Sequence, residues 1–94
     1  MLDYQLVRSI LKEIDALLKN GVLPVSNDHL KKLSGEVDIL QYLIEMKNEG
    51  LISGDLIKIG AGGAPHRITN IRLTYMGIRE LRQSTDKGAL SAGE

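Results

Sequence analysis

The residue types of a hydrolytic triad stand close together once in this chain, at Ser26, Asp28 and His29. A working triad brings its hydroxyl, imidazole and acid from separate elements, so that the imidazole lies between the other two groups. Four consecutive positions at the start of one helix do not provide that geometry, and Ser26 is a suitable helix N-cap. Since no other acid, base and nucleophile converge, we expect a protein that binds and does not catalyse.

The glycine-rich segment Gly60–Gly63 is the second feature with chemical potential, because backbone N–H groups in such loops can surround a phosphate. A phosphate loop is followed by the N-terminus of a helix and usually by Lys and then Ser or Thr. Here Pro65 and His66 follow, between two predicted strands. The segment therefore predicts the tip of a hairpin and not a nucleotide site.

Composition excludes further classes of protein. The 94 residues include no Cys and only two His, which removes disulfides, thiolate chemistry and cysteine-bound zinc. We therefore predict neither a metal nor a cofactor. No apolar run approaches the roughly 18 residues of a membrane span, and the N-terminus lacks the features of a secretion signal. A cytoplasmic protein without membrane contact is expected.

Basic residues are grouped in one segment of the second half. The range Leu56–Leu73 contains Lys58, Arg67 and Arg72, with His66 adjacent to Arg67, and it contains no acidic residue. Grouped cations are the electrostatic feature of nucleic-acid binding, because Lys and Arg neutralise phosphates. These four residues are the predicted DNA-binding set of the hairpin. The alternative is a solvated hairpin whose basic side chains limit edge-to-edge aggregation.

The helix predicted over Glu36–Glu49 has the opposite charge, with four acids against the single base Lys47. Phosphates repel such a surface. Within it, Gln41 is a candidate for reading adenine, and the preceding pair Lys31 and Lys32 is a candidate phosphate contact. In the alternative, Lys31 and Lys32 lie at a solvated helix end, close to the negative end of the helix dipole.

The separation of charge suggests a second class of function. Complementary patches on one chain favour symmetric self-association, in which the basic hairpin of one protomer meets the acidic helix of its partner. A protein–protein interaction module, either a homodimer or a binder of another protein, is therefore the alternative to binding double-stranded DNA.

Hydrophobic periodicity predicts the elements that position these residues. Apolar residues at spacings of three and four predict a helix over Tyr4–Lys19, with Asp3 as its N-cap. The segment Val22–Val25 is predicted to be a short edge strand or an extended linker, because it contains a proline. Helices are predicted over Asn27–Leu33 and Glu36–Glu49, and Gly50 ends the second of these.

A β-hairpin and a last helix complete the prediction. Residues 51–59 predict a strand with a turn or bulge at Ser53–Asp55, and branched side chains predict a second strand over Ile68–Leu73. Thr74 is predicted to cap a helix that runs to Gln83 and buries Ile78 and Leu81. The resulting fold class is α+β. Three helices, a two-stranded antiparallel hairpin as the wing and a C-terminal helix make up a winged helix-turn-helix domain over residues 1–84, with a flexible tail over residues 85–94.

Three motifs resemble winged-helix proteins. Glu49-Gly50-Leu51-Ile52 resembles the "EGLI" step from helix to strand, and Arg72–Gly77 resembles the "RLTxxG" junction from strand to helix. The opening Leu2–Leu11 resembles the start of a family of short uncharacterised winged-helix proteins of bacteria and phages. The resemblance covers roughly residues 2–81. It implies a winged-helix fold, a bacterial or phage origin and DNA binding, although Tyr75 stands where family members often have Trp.

Overall fold

The structure, a computed structural model, describes residues 3–34, 38–58, 62–63 and 65–83. This part of the chain has an α+β fold, whose element order is compatible with a winged-helix arrangement. In chain order the elements are α1 (Tyr4–Lys19), a 3-10 turn (Asn27–Leu30) that continues as α2 (Lys31–Ser34), α3 (Ile39–Asn48), β1 (Ile52–Lys58), β2 (Pro65–Leu73) and α4 (residues 75–83).

Helix α1 has the bounds that the sequence predicts, because both of its ends satisfy their backbone groups locally. The Asp3 carboxylate accepts a hydrogen bond from the Gln5 N–H at 3.0 Å. At the other end Gly21 adopts a φ of 81°, and the Val22 N–H donates to the Leu17 carbonyl at 2.9 Å. This left-handed glycine cap directs the chain back along the helix.

Helix α3 begins at Ile39, three residues later than predicted. The reason is the Asp38 side chain, which accepts hydrogen bonds from the N–H groups of Leu40 and Gln41 and so occupies the N-cap position. Residues 35–37 lie outside the described part of the chain. The predicted end is confirmed, since Gly50 has a φ of 81° and the Leu51 N–H donates to the Met46 carbonyl at 3.0 Å.

Strands β1 and β2 form an antiparallel hairpin with two register irregularities, one near its base and one between Ile57 and Lys58 toward its tip. The pairs Ser53↔Arg72 and Asp55↔Thr69 leave Gly54 opposite two residues of β2. One of these, Asn70, has a φ of 54°. The predicted bulge is thus confirmed in position, and the extra residue belongs to β2. In a regular strand, residues three positions apart face opposite sides. The bulge adds one residue, so Ile68 and Ile71 both face the core and are buried.

The segment before α2 lies along the free edge of β2. The Ile71 N–H donates to the Val25 carbonyl at 3.0 Å, and the Ile68 N–H donates to the Asn27 side-chain oxygen at 3.1 Å in a buried position. Residues 22–25, which include a cis Leu23–Pro24 peptide bond, form no regular strand. The linker alternative therefore describes the segment better than the edge strand. It attaches the hairpin to the helices.

A single apolar cluster lies between α1, α3 and the inner face of the hairpin. Its members are all less than a tenth exposed. They are Val7, Ile10, Leu11, Ile14, Val25, Leu30, Ile39, Leu43, Met46, Leu51, Ile52, Ile68 and Ile71. Since α3 and both strands contribute to this cluster, its packing sets the position of the hairpin relative to the helices.

Helix α4 starts against the turn between α3 and β1. The Thr74 hydroxyl donates to the Gly50 carbonyl and accepts from the Gly77 N–H at 3.1 Å, so the predicted Thr74 cap is confirmed. A Cβ atom added at Gly77 would overlap the Leu51 carbonyl oxygen. The Arg72–Gly77 motif therefore has a packing role: its Thr closes the junction, and its Gly permits close backbone approach.

Part of the α4 prediction is wrong. Ile78 was expected to be buried, but its side chain is 37% exposed. The contact at Gly77 turns that position toward Leu51, and the next residue, about 100° further around the helix, faces outward. Leu81 is half-buried. The predicted tail over residues 85–94 lies outside the described residues, as do residues 60, 61 and 64 of the predicted hairpin tip. Gly62, which is described, forms part of an exposed turn.

Replacing Gly77 by Ala is expected to destabilise the protein by about 1–3 kcal/mol, because the added methyl group overpacks the contact with Leu51. At an ordinary helix position the same change stabilises by about 1 kcal/mol, so the sign of the effect is diagnostic. Urea unfolding followed by circular dichroism measures it. Gln83→Ala, at an exposed position of the same helix, is the control and should change stability by less than about 0.5 kcal/mol. A stabilised Gly77→Ala variant would contradict this packing.

Replacing Asn27 by Ala is expected to cost about 1–3 kcal/mol, because the buried Ile68 N–H loses its acceptor. In a domain of this size such a loss lowers the melting temperature by at least about 4 °C. Asn48→Ala makes the same chemical change at an exposed position of α3. Equal melting temperatures for the two variants would exclude a stabilising contact at Asn27.

Candidate nucleic-acid interface

Arg67 connects the hairpin to the start of α2. Its guanidinium lies 3.3 Å from a carboxylate oxygen of Asp28 and 3.4 Å from the Ser26 hydroxyl. Its position follows from the pairing of β2 with the preceding segment, since the neighbouring Ile68 is bound by Asn27. The arginine is about half exposed, so the ion pair leaves part of the guanidinium in contact with solvent.

Asp28 is shared by two cations. One of its oxygens lies 3.3 Å from the Arg67 guanidinium, and the other lies 3.4 Å from the Lys31 ammonium. A single carboxylate thus holds a residue of β2 and a residue of α2 side by side. Arg67 belongs to the predicted hairpin set, and Lys31 belongs to the predicted pair before α3. The two sets therefore meet at the Asp28 carboxylate. Within this cluster of three residues, two side chains are cationic and one is anionic.

Lys58 and His66 lie at the outer end of the described hairpin. Lys58 is paired with Pro65, next to the pair Ile57↔Arg67, and the side chains of Lys58 and His66 are both exposed. In the described part of the chain no carboxylate is paired with either side chain. We refer to Lys31, Lys58 and Arg67 together as the hairpin–α2 edge.

Arg72 lies away from the other predicted hairpin cations. It is paired with Ser53 at the base of the hairpin, five residues along β2 from Arg67, which at the rise of an extended strand is roughly 15 Å. Its side chain lines a cleft against α1 and α4. The structure therefore divides the predicted hairpin set: Lys58, His66 and Arg67 are near the tip, and Arg72 is not.

The remaining predicted residues are exposed but dispersed. Lys32 lies 3.7 Å from Glu13 of α1, and this pair ties α2 to α1. Gln41 is exposed in the first turn of α3, where its N–H donates to the Asp38 carboxylate. Because Asp38 caps the N-terminus of α3, a negative charge stands where a helix inserted into a groove would approach the phosphates.

The triad-like residues form a helix cap. The His29 Nδ1 atom accepts a hydrogen bond from the Ser26 N–H at 3.0 Å, which is the reciprocal half of a capping box. The Asp28 carboxylate is directed to Lys31 and Arg67 instead of to the imidazole. Ser26 is buried. In this arrangement the three residues fix the start of the 3-10 turn and thereby position Asp28 for its ion pairs.

Two acids of the predicted third helix bind neighbouring groups. Asp38 caps α3, and Glu49, just beyond its end, accepts a hydrogen bond from the Tyr4 hydroxyl at 2.9 Å. This hydrogen bond and the negative charge of Glu49 raise the pKa of Tyr4 above its ordinary value of 10.0. Only Glu45 and Lys47 carry charge within α3 itself. The helix is therefore less acidic than the predicted range of 36–49 suggests, since only Glu45 of the four acids in that range lies within α3.

Sequence reasoning missed a cationic face on α4. Arg79 lies 5.8 Å from the ring centre of Tyr75, one helical turn earlier, and Arg82 lines the same cleft as Arg72. The available signal was the i,i+4 spacing of Tyr75 with Arg79 and of Ile78 with Arg82, which makes the members of each pair neighbours on the helix surface. It was missed because that helix was expected to bury Ile78.

Within the described residues no cluster of His and acidic side chains could hold a metal ion, and no helix is long and apolar enough to cross a lipid bilayer. No protein-family model, no curated protein sequence and no solved structure matches the chain.

Neutralising Glu49 as Gln is expected to lower the pKa of Tyr4 toward its ordinary value, because the negative charge that disfavours the phenolate is removed. Since the folded-state pKa is raised, the stabilising effect of this contact is fully present below about pH 10 and is lost as the pH rises through the raised value. NMR titration of the Tyr4 ring carbon measures the change. Glu45→Gln, on the same helix, should leave the titration unchanged, and a shift of equal size there would indicate a general charge effect.

Proposed function

We propose that this chain is a winged-helix protein that binds double-stranded DNA without catalysing a reaction. In this proposal it acts in the cytoplasm as a regulatory or accessory factor of bacterial or phage origin. The resemblance of its EGLI and RLTxxG motifs supports the fold, and the resemblance of the opening Leu2–Leu11 supports the origin. The geometry that supports DNA binding is the hairpin–α2 edge.

The single observation that carries the proposal is the shared carboxylate of Asp28. Because Arg67 and Lys31 bind different oxygens of that group, cations of two elements are held together on one surface. A DNA phosphate that approaches them forms ion pairs with side chains already brought together, which reduces the conformational entropy lost on binding. Lys58, one residue beyond the pair Ile57↔Arg67, is a further exposed cation at the same end of the hairpin.

The proposed contact is made with the phosphate backbone more than with bases. Asp38 at the start of α3 opposes deep insertion of that helix, and Gln41 is the only residue of the predicted set with a side chain suited to reading adenine. Phosphate contacts position a protein on the duplex but do not distinguish sequences. We therefore propose weak and largely sequence-independent binding.

DNA binding is tested by fluorescence anisotropy with a labelled duplex at several salt concentrations. With two or three phosphates contacted, log Kd should change with log salt with a slope of about 2–3 in magnitude. Lys58→Gln and Arg67→Gln should each weaken binding at low salt and reduce that slope by about one. Lys12→Gln, an exposed position on α1 with the same change of charge, is the control. Equal effects at all three positions would mean a general charge effect and no interface.

Asp28→Asn provides a second test with the opposite sign. Asn keeps an oxygen that can accept a hydrogen bond from Arg67, while the negative charge that competes with phosphate is removed. Binding at low salt is expected to become several-fold tighter, as for the gain of one unit of local positive charge. Unchanged or weaker DNA binding by Asp28→Asn would contradict a hairpin–α2 edge that faces the duplex.

A protein–protein interaction module is the second candidate, and exposed apolar residues of α4 favour it. Tyr75 is 73% exposed and Met76 is 52% exposed. Failure to bind any duplex at low ionic strength would favour this candidate. Sedimentation equilibrium would then distinguish a homodimer from a monomer that binds another protein.

A further inference from the structure

A cleft of about 600 Å³ lies between the C-terminal half of α1, the end of β2 and α4. This volume is within the range of small-molecule sites, about 300–1,000 Å³. Half of its lining is apolar and half is charged. The lining residues are Asp15, Leu18, Lys19, Arg72, Leu73, Ile78, Leu81 and Arg82. None of them belongs to the hairpin–α2 edge.

The charged half of the lining has a positive excess. Asp15 and Lys19 neutralise each other, since their side chains lie 2.9 Å apart. Arg72 and Arg82 are both exposed, and in the described part of the chain neither is paired with a carboxylate. The two guanidinium groups therefore account for the charge that the cleft presents to a ligand.

The apolar half lies beside these guanidinium groups. Ile78 precedes Arg82 by one helical turn, so both side chains occupy the same side of α4. Leu73 follows Arg72 directly in β2 and is half-buried against the core. A ligand in the cleft is thus offered apolar contact and two charge-assisted hydrogen-bond donors at once.

We propose that this cleft binds a small amphipathic organic acid, with a hydrocarbon or aromatic body and one carboxylate. A planar guanidinium donates two parallel hydrogen bonds to a carboxylate, which gives this anion a geometric advantage. The body of the ligand covers the exposed Ile78 and the neighbouring leucines. Arg72 is accordingly a ligand-binding residue of the cleft and not a DNA contact. The proposal is independent of DNA binding by the hairpin–α2 edge.

Decanoate is the probe, titrated into the full-length protein at low salt and followed by 15N–1H NMR. Saturable one-to-one binding is expected, with the largest shift changes at residues 72–82. Decanol tests the need for the carboxylate, and acetate tests the need for the apolar body. Each should bind at least about tenfold more weakly than decanoate, since decanol lacks the carboxylate and acetate lacks the apolar body.

Matched variants locate the site. Arg72→Gln and Arg82→Gln should each weaken decanoate binding by about fivefold or more, as expected for the loss of a charged hydrogen bond. Arg79→Gln makes the same change of charge on α4, but Arg79 is stacked on Tyr75 outside the cleft, so affinity should be unchanged. Ile78→Glu, at an exposed position, places a negative charge in the cleft and should abolish binding. Thermal unfolding of each variant verifies that the fold is retained.

The proposal is overturned if decanol binds as tightly as decanoate, or if Arg79→Gln weakens binding as much as Arg72→Gln. Absence of binding at millimolar decanoate overturns it as well. Weaker DNA binding by Lys58→Gln or Arg67→Gln, with decanoate affinity unchanged, is expected, because the two surfaces share no residue.

Discussion

Two hydrogen bonds between β2 and the segment before α2, together with the packing of the apolar core, determine where the hairpin lies. A two-stranded hairpin is marginal on its own in water, so it needs contacts with the helices to persist. The Val25 carbonyl and the Asn27 side chain supply polar contacts, and the burial of Ile68 and Ile71 supplies the apolar one. Both kinds of contact are needed, because a buried Ile68 or Ile71 N–H without an acceptor would offset most of the free energy gained by burying these side chains.

The same attachment produces the charge pattern of the surface. Once β2 is bound alongside Asn27, Arg67 lies beside Asp28, and Lys31 completes the cluster from the other side. The capping contact between His29 and Ser26 holds the start of the 3-10 turn that carries Asp28. A structural requirement, closure of the sheet edge, thus places cations of two elements on one surface.

At the base of the hairpin, the position of α4 depends on its close contact with the turn between α3 and β1. Gly50 reverses the chain after α3, and Thr74 and Gly77 bring α4 against that reversal. Because α4 meets the turn through a glycine, it lies close to Leu51 and leaves Ile78 exposed beside Arg72. The cleft is a consequence of this close approach. The two ends of β2 therefore have separate environments, one facing α2 and the other facing α1 and α4.

The amino-acid sequence alone determined the local features. The bounds of α1, the ends at Gly21 and Gly50, the cap at Thr74 and the bulge near Gly54 all follow from side chains and backbone preferences within a few residues of each position. Tertiary structure alone decided which side chains contact one another across different elements. The separation of Arg72 from Arg67, the sharing of Asp28, the exposure of Ile78 and the cleft depend on contacts between residues distant in sequence. Such contacts depend on packing of the whole core, and the periodicity of one element does not contain that information.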